Sequence, residues 1–185
     1  MNTLFEWDEL NLIREETRRV MALPPAERKK QKETYCDYLE FVLCLVYAYG
    51  WHDAEQIVGI VPFKDGLDDK TVNLEIENKT WRERAEEYLD DGTVDEMIRL
   101  IDTESVRDYN TGVVEAGIKS GKPVKKRWMT MMDDKVRETH DYLEGMVVDV
   151  NDRFYTFDGD SALAPGGFTL PQNNINCRCA ITLEI

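Results

Sequence analysis

Residues 93–120 of this chain read TVDEMIRLIDTESVRDYNTGVVEAGIKS, and this stretch decides the fold. Thr93 followed three positions later by Glu96 is a capping-box pair, in which each side chain bonds the backbone of the other at a helix start. Apolar residues then recur at helical spacing over the whole stretch. The sequence therefore predicts one long helix over 94–119, in which two glycines are weak points.

The residues that precede this helix are also predicted to be helical. Thr3 and Glu6 form another capping pair, which predicts a first helix to about Ala22. A proline pair ends it, and the second proline opens a helix over 25–50 that contains a long apolar run and stops at a glycine. A short third helix is predicted from Trp51 onward.

A soft domain boundary is predicted near residues 70–78, where the helical pattern weakens. We therefore divide the chain into a helical N-terminal region, 1–78, and a second region, 79–185. The second region opens with a further capping pair, Thr80 and Glu83, which predicts a helix just before the long one.

The pattern after the long helix is mixed. An extended segment is predicted over 124–130 and a short helix over 133–143, followed by two strands over 146–150 and 154–157 that an Asn-Asp turn joins as a hairpin. The last residues, 177–185, alternate strictly between apolar and other side chains, which predicts a half-buried strand. The predicted class is α+β, with a helical N-terminal half followed by a small, mainly antiparallel sheet packed on the long helix.

The charge of the chain is strongly negative. It has 37 acidic and 23 basic residues and a net charge of -14, which disfavours non-specific nucleic-acid binding. One local basic run is a candidate contact for an anion or an acidic partner, DNA included, although a solvated face is the commoner reading of such runs. Its members are Lys119, Lys122, Lys125, Lys126 and Arg127.

Neither secretion nor a membrane location is predicted. The N-terminal residues carry acids where a signal peptide has basic residues. The longest apolar run, 41–49, is far shorter than the about 20 residues that a membrane helix needs. The four cysteines are accordingly expected to be reduced thiols in a cytoplasm.

His140, Cys177 and Cys179 form a candidate metal set, because imidazole and thiolate are the usual ligands of zinc. The two cysteines continue the apolar stripe of the last strand, with Ile181, Leu183 and Ile185, and the sequence shows no obvious fourth ligand. Core packing is therefore favoured and no cofactor is predicted, with zinc binding and a redox role as the alternatives.

The sequence contains no recognised catalytic motif. It has no phosphate-binding Gly-rich loop, no Gly-x-Ser-x-Gly and no His-Glu-x-x-His. A packaging ATPase is therefore excluded, and we predict no catalytic residues.

Several short motifs in the second region occur in a recognisable order. They are Ile101-Asp102-Thr103-Glu104, Tyr109-Asn110-Thr111-Gly112, Lys126-Arg127-Trp128-Met129-Thr130, Asp134-Lys135-Val136-Arg137 with His140, Leu143 with Gly145, and Asn176-Cys177-Arg178-Cys179. This order resembles the phage Mu F-like head morphogenesis family, and the resemblance covers about 79–185.

The resemblance implies a minor head protein of a tailed phage or prophage, which acts in head assembly. It further implies that 79–185 is the head morphogenesis domain, that 1–78 binds a portal, scaffold or capsid protein, and that the protein occurs in the virion and, during assembly, in the bacterial cytoplasm. The alternative that it implies is a toxin with nuclease or ADP-ribosyltransferase-like activity.

The resemblance also marks a set of polar and aromatic residues in the motifs. They are Thr103, Glu104, Trp128, Arg137 and His140. As a structural set they would form a hydrogen-bonded cluster that locks helix to sheet under the tryptophan, which is the favoured interpretation. As a functional set, the charged residues and the histidine would bind and polarise a phosphate or ribose.

Overall fold

The computed structural model describes residues 7–62 and 79–185 and confirms the α+β class. Its helices are α1 (Asp8–Met21), α2 (Pro25–Val58), α3 (Trp81–Asp91), α4 (Val94–Lys119) and the single turns α5 (Glu138–Asp141) and α6 (Pro171–Asn174). Its strands are β1 (Lys125–Met129), β2 (Val147–Asp149), β3 (Phe154–Tyr155), β4 (Ser161–Ala162) and β5 (Ala180–Glu184). Within the described residues, none of the helices has the length and apolar character needed to cross a membrane.

Helices α3 and α4 begin where the sequence predicts. The hydroxyls of Thr80 and Thr93 accept hydrogen bonds from the backbone N–H groups of Glu83 and Glu96, and each glutamate accepts one from the backbone of its threonine. Both predicted capping boxes are thus confirmed. The third predicted capping pair, Thr3 with Glu6, lies outside the described residues, and α1 begins at Asp8.

Helix α2 does not stop at Gly50, as predicted, but runs for 34 residues to Val58 and absorbs the predicted third helix. It ends at Gly59, which has a positive φ of 82°. Gly50 has a different role from a helix stop: a Cβ there would lie 2.0 Å from the backbone oxygen of Tyr109 in α4. The glycine lets two helix backbones touch.

A second glycine completes this helix crossing from the other side. A Cβ on Gly112 of α4 would lie 2.2 Å from the backbone oxygen of Tyr47 in α2. Helices α2 and α4 are therefore in direct backbone contact, and the buried apolar residues of the helices and of the sheet form one continuous core. The predicted division at residue 78 stays a prediction, since its boundary lies among residues that the structure does not describe.

The three-stranded sheet has the order β2-β1-β5, with both pairings antiparallel. It packs on α4 through β5. The Asn110 side chain of α4 accepts a hydrogen bond from Ile181 N at 2.9 Å and donates one to Cys179 O at 3.2 Å. A Cβ on Gly117 of the same helix would lie 3.1 Å from Leu183 Cδ1. The predicted packing of sheet on long helix is confirmed.

The predicted hairpin between 146–150 and 154–157 is wrong. β2 pairs with β1, and β3 pairs with β4 in a separate two-stranded sheet. The Asn-Asp turn redirects the chain instead, since Asp149 accepts hydrogen bonds from the backbones of Asn151 and Asp152. The two predicted strands therefore belong to different sheets.

Two other elements, a helix and the last strand, are shorter than predicted. The helix expected over 133–143 is reduced to α5, because Arg137 is extended (ψ 150°) and Asp133 caps a turn by accepting a hydrogen bond from Lys135 N. The last strand begins at Ala180, after a positive φ of 57° at Asn176. Its apolar stripe points inward as predicted except at Ile185, which is exposed at the end of the chain.

Candidate functional site

The candidate site lies where α5 meets the segment that leads into β5. Asn174 positions that segment: its amide donates to Phe168 O at 2.7 Å and accepts from Phe168 N at 3.0 Å, and its backbone oxygen accepts from Cys177 N. On the other side, α5 turns His140 inward. All three predicted metal-ligand candidates are consequently buried, His140 with 1% of its surface exposed, Cys177 with 5% and Cys179 with 3%.

The polar atoms of these three side chains converge. His140 Nδ1 lies 3.6 Å from Cys177 Sγ and 3.4 Å from Cys179 Sγ. One ligand atom from each residue lies within 4.8 Å of the other two. Across 7–62 and 79–185, this is the one group of three or more histidine, cysteine or acidic side chains close enough to hold a metal ion.

Aromatic rings hold the imidazole in place. Phe168 stacks on it with ring centroids 5.3 Å apart, and Trp128 meets it edge-on at 5.4 Å. Trp128 is itself fully buried against Phe154. The predicted packing of Trp128 beside His140 is therefore present, and the imidazole has little freedom to turn away from the two sulfurs.

The two thiols have opposite acidities. The hydrogen bond from Cys179 lowers the pKa of Cys177 well below its usual value, and His140 lowers it further against the effect of burial. The pKa of Cys179 is raised, chiefly by its hydrogen bond to Cys177 and then by its burial and by the charge of Cys177.

The predicted polar cluster is not assembled as one group. Glu104 pairs with Arg84, at 2.8 Å, and with Arg107. Arg137 donates to the backbone oxygens of Gln172 and Ile175. Neither has a contact with His140 among the described hydrogen bonds and ion pairs.

Thr103, the remaining member, bonds its own helix through Arg99 O. Of the five residues, only Trp128 and His140 are in direct ring contact. Thr103 and Glu104 are neighbours on α4, and Arg137 lines a small pocket beside His140, but the bonds described for these three residues go to other groups.

Sequence reasoning missed the charged network around Glu104. Arg107 and Asp108, one turn further along α4, are buried with it. Burial raises the pKa of Asp108 to about 8, although Arg107 opposes this. Gly166 packs directly on this turn, since a Cβ there would lie 2.7 Å from Arg107 Cα. The Glu104–Arg107 spacing of three residues could have indicated the pair.

A second missed network centres on Asp160, in the loop between β3 and β4. Its carboxylate accepts hydrogen bonds from the backbone N–H groups of Ser161, Thr169 and Leu170, and from the side chains of Thr169 and Asn173. Burial alone would raise the pKa of Asp160, but these hydrogen bonds lower it to about 2. The carboxylate organises the loop that carries α6 toward the site.

The predicted basic run does not form one surface. Lys126 is fully buried, where its Nζ donates to Val150 O at 2.8 Å and lies over the Phe154 ring, and burial lowers its pKa to about 8. The reason is strand alternation, which turns Lys126 inward between Lys125 and Arg127. An anion contact through Lys126 is therefore excluded.

Of the other four basic residues, Lys119, Lys122 and Lys125 are exposed and Arg127 is half-buried. Lys119 lies near Glu115 and the Trp51 ring, Lys122 donates to Val58 O, and Arg127 pairs with Glu184. Lys125 lies at the first position of β1. Anion or partner binding by these four stays a prediction.

Comparison with known proteins matches residues 68–182 to the family described as phage Mu protein F like protein. The chain is 33% identical over 94 residues to NAD(+)--arginine ADP-ribosyltransferase EFV of Enterococcus faecalis, which is 49% of this chain and 19% of that protein. It is 28% identical over 85 residues to minor head protein GP7 of Bacillus phage SPP1, which is 45% of this chain and 28% of that protein. No solved structure gives a significant match.

Both relatives are thus much longer proteins, and the aligned segment is less than a third of either. The family match, in contrast, takes in more than half of this chain, from before α3 into β5, and includes every motif on which the resemblance was based. The chain therefore belongs to the phage Mu protein F-like family.

Proposed function

We propose that this chain is a minor head protein of a tailed bacteriophage or prophage and acts in head assembly. The observation that carries the proposal is the family match over 68–182, together with the similarity to minor head protein GP7 of Bacillus phage SPP1. In this role the protein enters the procapsid during assembly in the bacterial cytoplasm and remains in the virion.

The partner in this proposal is a portal, scaffold or capsid protein that docks on the helical N-terminal region. Leu12 on α1 and Phe41 on α2 expose 54% and 58% of their surfaces. Exposed apolar side chains of this size are suited to a protein interface. The net charge of -14 disfavours DNA as the main partner.

A co-purification experiment tests the proposal. The chain is co-expressed with the tagged portal protein of the same phage, and virions from the induced prophage are analysed by mass spectrometry. The double variant Leu12→Ser with Phe41→Ser is expected to lose the portal. The matched control is Tyr155→Ser, which changes an equally exposed aromatic residue on β3. Absence of the wild-type chain from both the portal complex and the virions would refute the proposal.

A second candidate function is arginine ADP-ribosyl transfer, which the similarity to the Enterococcus faecalis enzyme favours. The residues that the motifs suggested for such chemistry give it little support, since Glu104 is 1% exposed and held by two arginines. Incubation with labelled NAD(+) and an arginine-rich acceptor protein tests it directly. Labelling that Glu104→Gln and His140→Gln both leave unchanged would place the activity elsewhere in the chain, and no labelling would exclude this candidate.

A further inference from the structure

We propose that His140, Cys177 and Cys179 bind one zinc ion, which fastens the segment before β5 to α5. The proposal concerns the fold of this family member and does not depend on the function of the chain in a phage head. It rests on the geometry of the three side chains, the chemistry of the donor set and the rigidity of the surroundings.

The nitrogen–sulfur distances among the three side chains match those between the donor atoms of a bound zinc ion. Zinc binds sulfur at about 2.3 Å and imidazole nitrogen at about 2.0 to 2.1 Å, so a tetrahedral angle separates the two donors by about 3.6 Å. His140 Nδ1 lies 3.6 Å from Cys177 Sγ and 3.4 Å from Cys179 Sγ. Both nitrogen–sulfur separations therefore fit an ion bound between the imidazole and the two sulfurs.

The donor set selects the ion. Two thiolates and one imidazole suit zinc and other borderline-soft metals, whereas magnesium and calcium require several oxygen ligands. The described cluster contains no carboxylate. Two thiolates also cancel the charge of a divalent cation, so the loaded site is neutral, as its buried position requires.

The site is held in shape by its neighbours. Asn110 fixes the backbone on both sides of Ala180 through Cys179 O and Ile181 N, and Phe168 and Trp128 fix the imidazole. A hydrogen-bonded backbone and a clamped ring keep the donors at their separation before the ion arrives. Such preorganisation is what a metal site needs from its surroundings.

The fourth coordination position of the zinc ion would face a small pocket beside the three donors. This pocket is lined by the three donors together with Met131, Lys135, Arg137 and Arg178, among other residues. We infer that a water molecule from this pocket completes the tetrahedron, which keeps the loaded site neutral. The spacing Cys-x-Cys with a distant histidine supplies three ligands, and the pocket makes a fourth protein ligand unnecessary.

Metal titration of the full, untagged chain tests the proposal. The reduced protein is expected to retain about one equivalent of zinc after gel filtration. Cobalt added in place of zinc should give the intense visible absorption of tetrahedral thiolate coordination, which appears with one equivalent and is displaced by zinc. A hydrogen-bonded thiol pair without a metal would give neither signal, so a colourless, metal-free protein would overturn the proposal.

Thiol protection provides a second measurement that does not need a variant. Mass spectrometry after alkylation in mild denaturant should find Cys177 and Cys179 protected by zinc and exposed after chelation. Equal alkylation with and without zinc would also refute the site.

Variants then assign the ligands. Cys179→Ser and His140→Gln should abolish the cobalt spectrum, while Cys36→Ser, which removes an equally buried thiol in α2, should leave it unchanged. Loss of the spectrum only in variants that remain folded by circular dichroism supports the assignment. An unchanged spectrum in both ligand variants would contradict it.

Discussion

Replacement of the crossing glycines of α2 and α4 by alanine is the sharpest test of the fold. In Gly50→Ala the new Cβ would lie 2.0 Å from Tyr109 O, and in Gly112→Ala 2.2 Å from Tyr47 O, whereas ordinary contacts begin near 3.4 Å. The obstacle in both cases is backbone, which cannot rotate aside. The helices must therefore move apart by more than 1 Å over their closest contact.

The expected loss follows from two opposing terms. Overpacking of a core costs about 1 to 3 kcal/mol, and a backbone obstacle places these variants near the upper end. Alanine in a helix interior returns about 1 kcal/mol relative to glycine. We expect each variant to lose about 2 kcal/mol of unfolding free energy, and the double variant to lose less than the sum, since both substitutions open the same gap.

Urea unfolding followed by tryptophan fluorescence measures these losses, since Trp51 and Trp81 are buried. Gly117→Ala is the matched control on the same helix, because its Cβ would meet methyl groups of Val150 and Leu183 that can shift. The control should lose clearly less than the crossing variants. If Gly50→Ala and Gly112→Ala were as stable as the wild type or more stable, the backbone contact between α2 and α4 would be refuted.

Three further substitutions test the buried charges, each by urea unfolding as a function of pH. Asp160→Asn should lose about 2 kcal/mol of unfolding free energy at pH 7, because hydrogen bonds lower the pKa of Asp160 from 3.8 to about 2. In the wild type this stability is present above pH 4 and is lost as the pH falls toward 2. A variant with the same loss of stability in acid would contradict the hydrogen-bond network. Lys126→Met should gain about 2 kcal/mol of unfolding free energy at pH 7, because burial of the ammonium lowers the pKa of Lys126 from 10.5 to about 8. The unfolding free energy of the wild type should therefore rise between pH 8 and 10.5, and this rise should be absent from the variant. Glu104→Gln should lose about 3 to 5 kcal/mol of unfolding free energy, because Arg107 would stay buried without its closest anion. Asp102→Asn, at a more exposed ion pair, should lose at most about 1 kcal/mol. Equal losses in the two variants would contradict this difference between buried and exposed ion pairs.

Features set by local chemistry could be predicted from the sequence. The starts of α3 and α4 follow from capping pairs that need only four residues, and the inward side of the last strand follows from its alternation. The passage of α2 through Gly50 could not be predicted, because its cause is a carbonyl at residue 109. The pairing of β2 with β1 rather than β3 likewise depends on which edges the folded sheet leaves open.

The candidate site shows the same division. The sequence predicted that Cys177 and Cys179 face inward and that His140 belongs to the same candidate metal set. It could not predict that Glu104 pairs with Arg84, since Arg84 lies on another helix, whereas the spacing of three residues could have indicated Arg107. Strand alternation over the predicted segment 124–130 could have indicated that Lys126 faces inward with Trp128, but the sequence gives no sign of the carbonyl at Val150 that accepts its hydrogen bond.

The contact between α2 and α4 joins the segment matched by the family to a helix that lies outside it. The family match begins at residue 68, yet α4 inside it lies backbone against backbone with α2, which precedes it. A fragment that starts at residue 79 would leave a groove of Val113, Tyr109 and their neighbours without its natural cover. In this chain the segment outlined by sequence similarity is therefore smaller than the folded unit, since α2 covers one face of α4 from outside it.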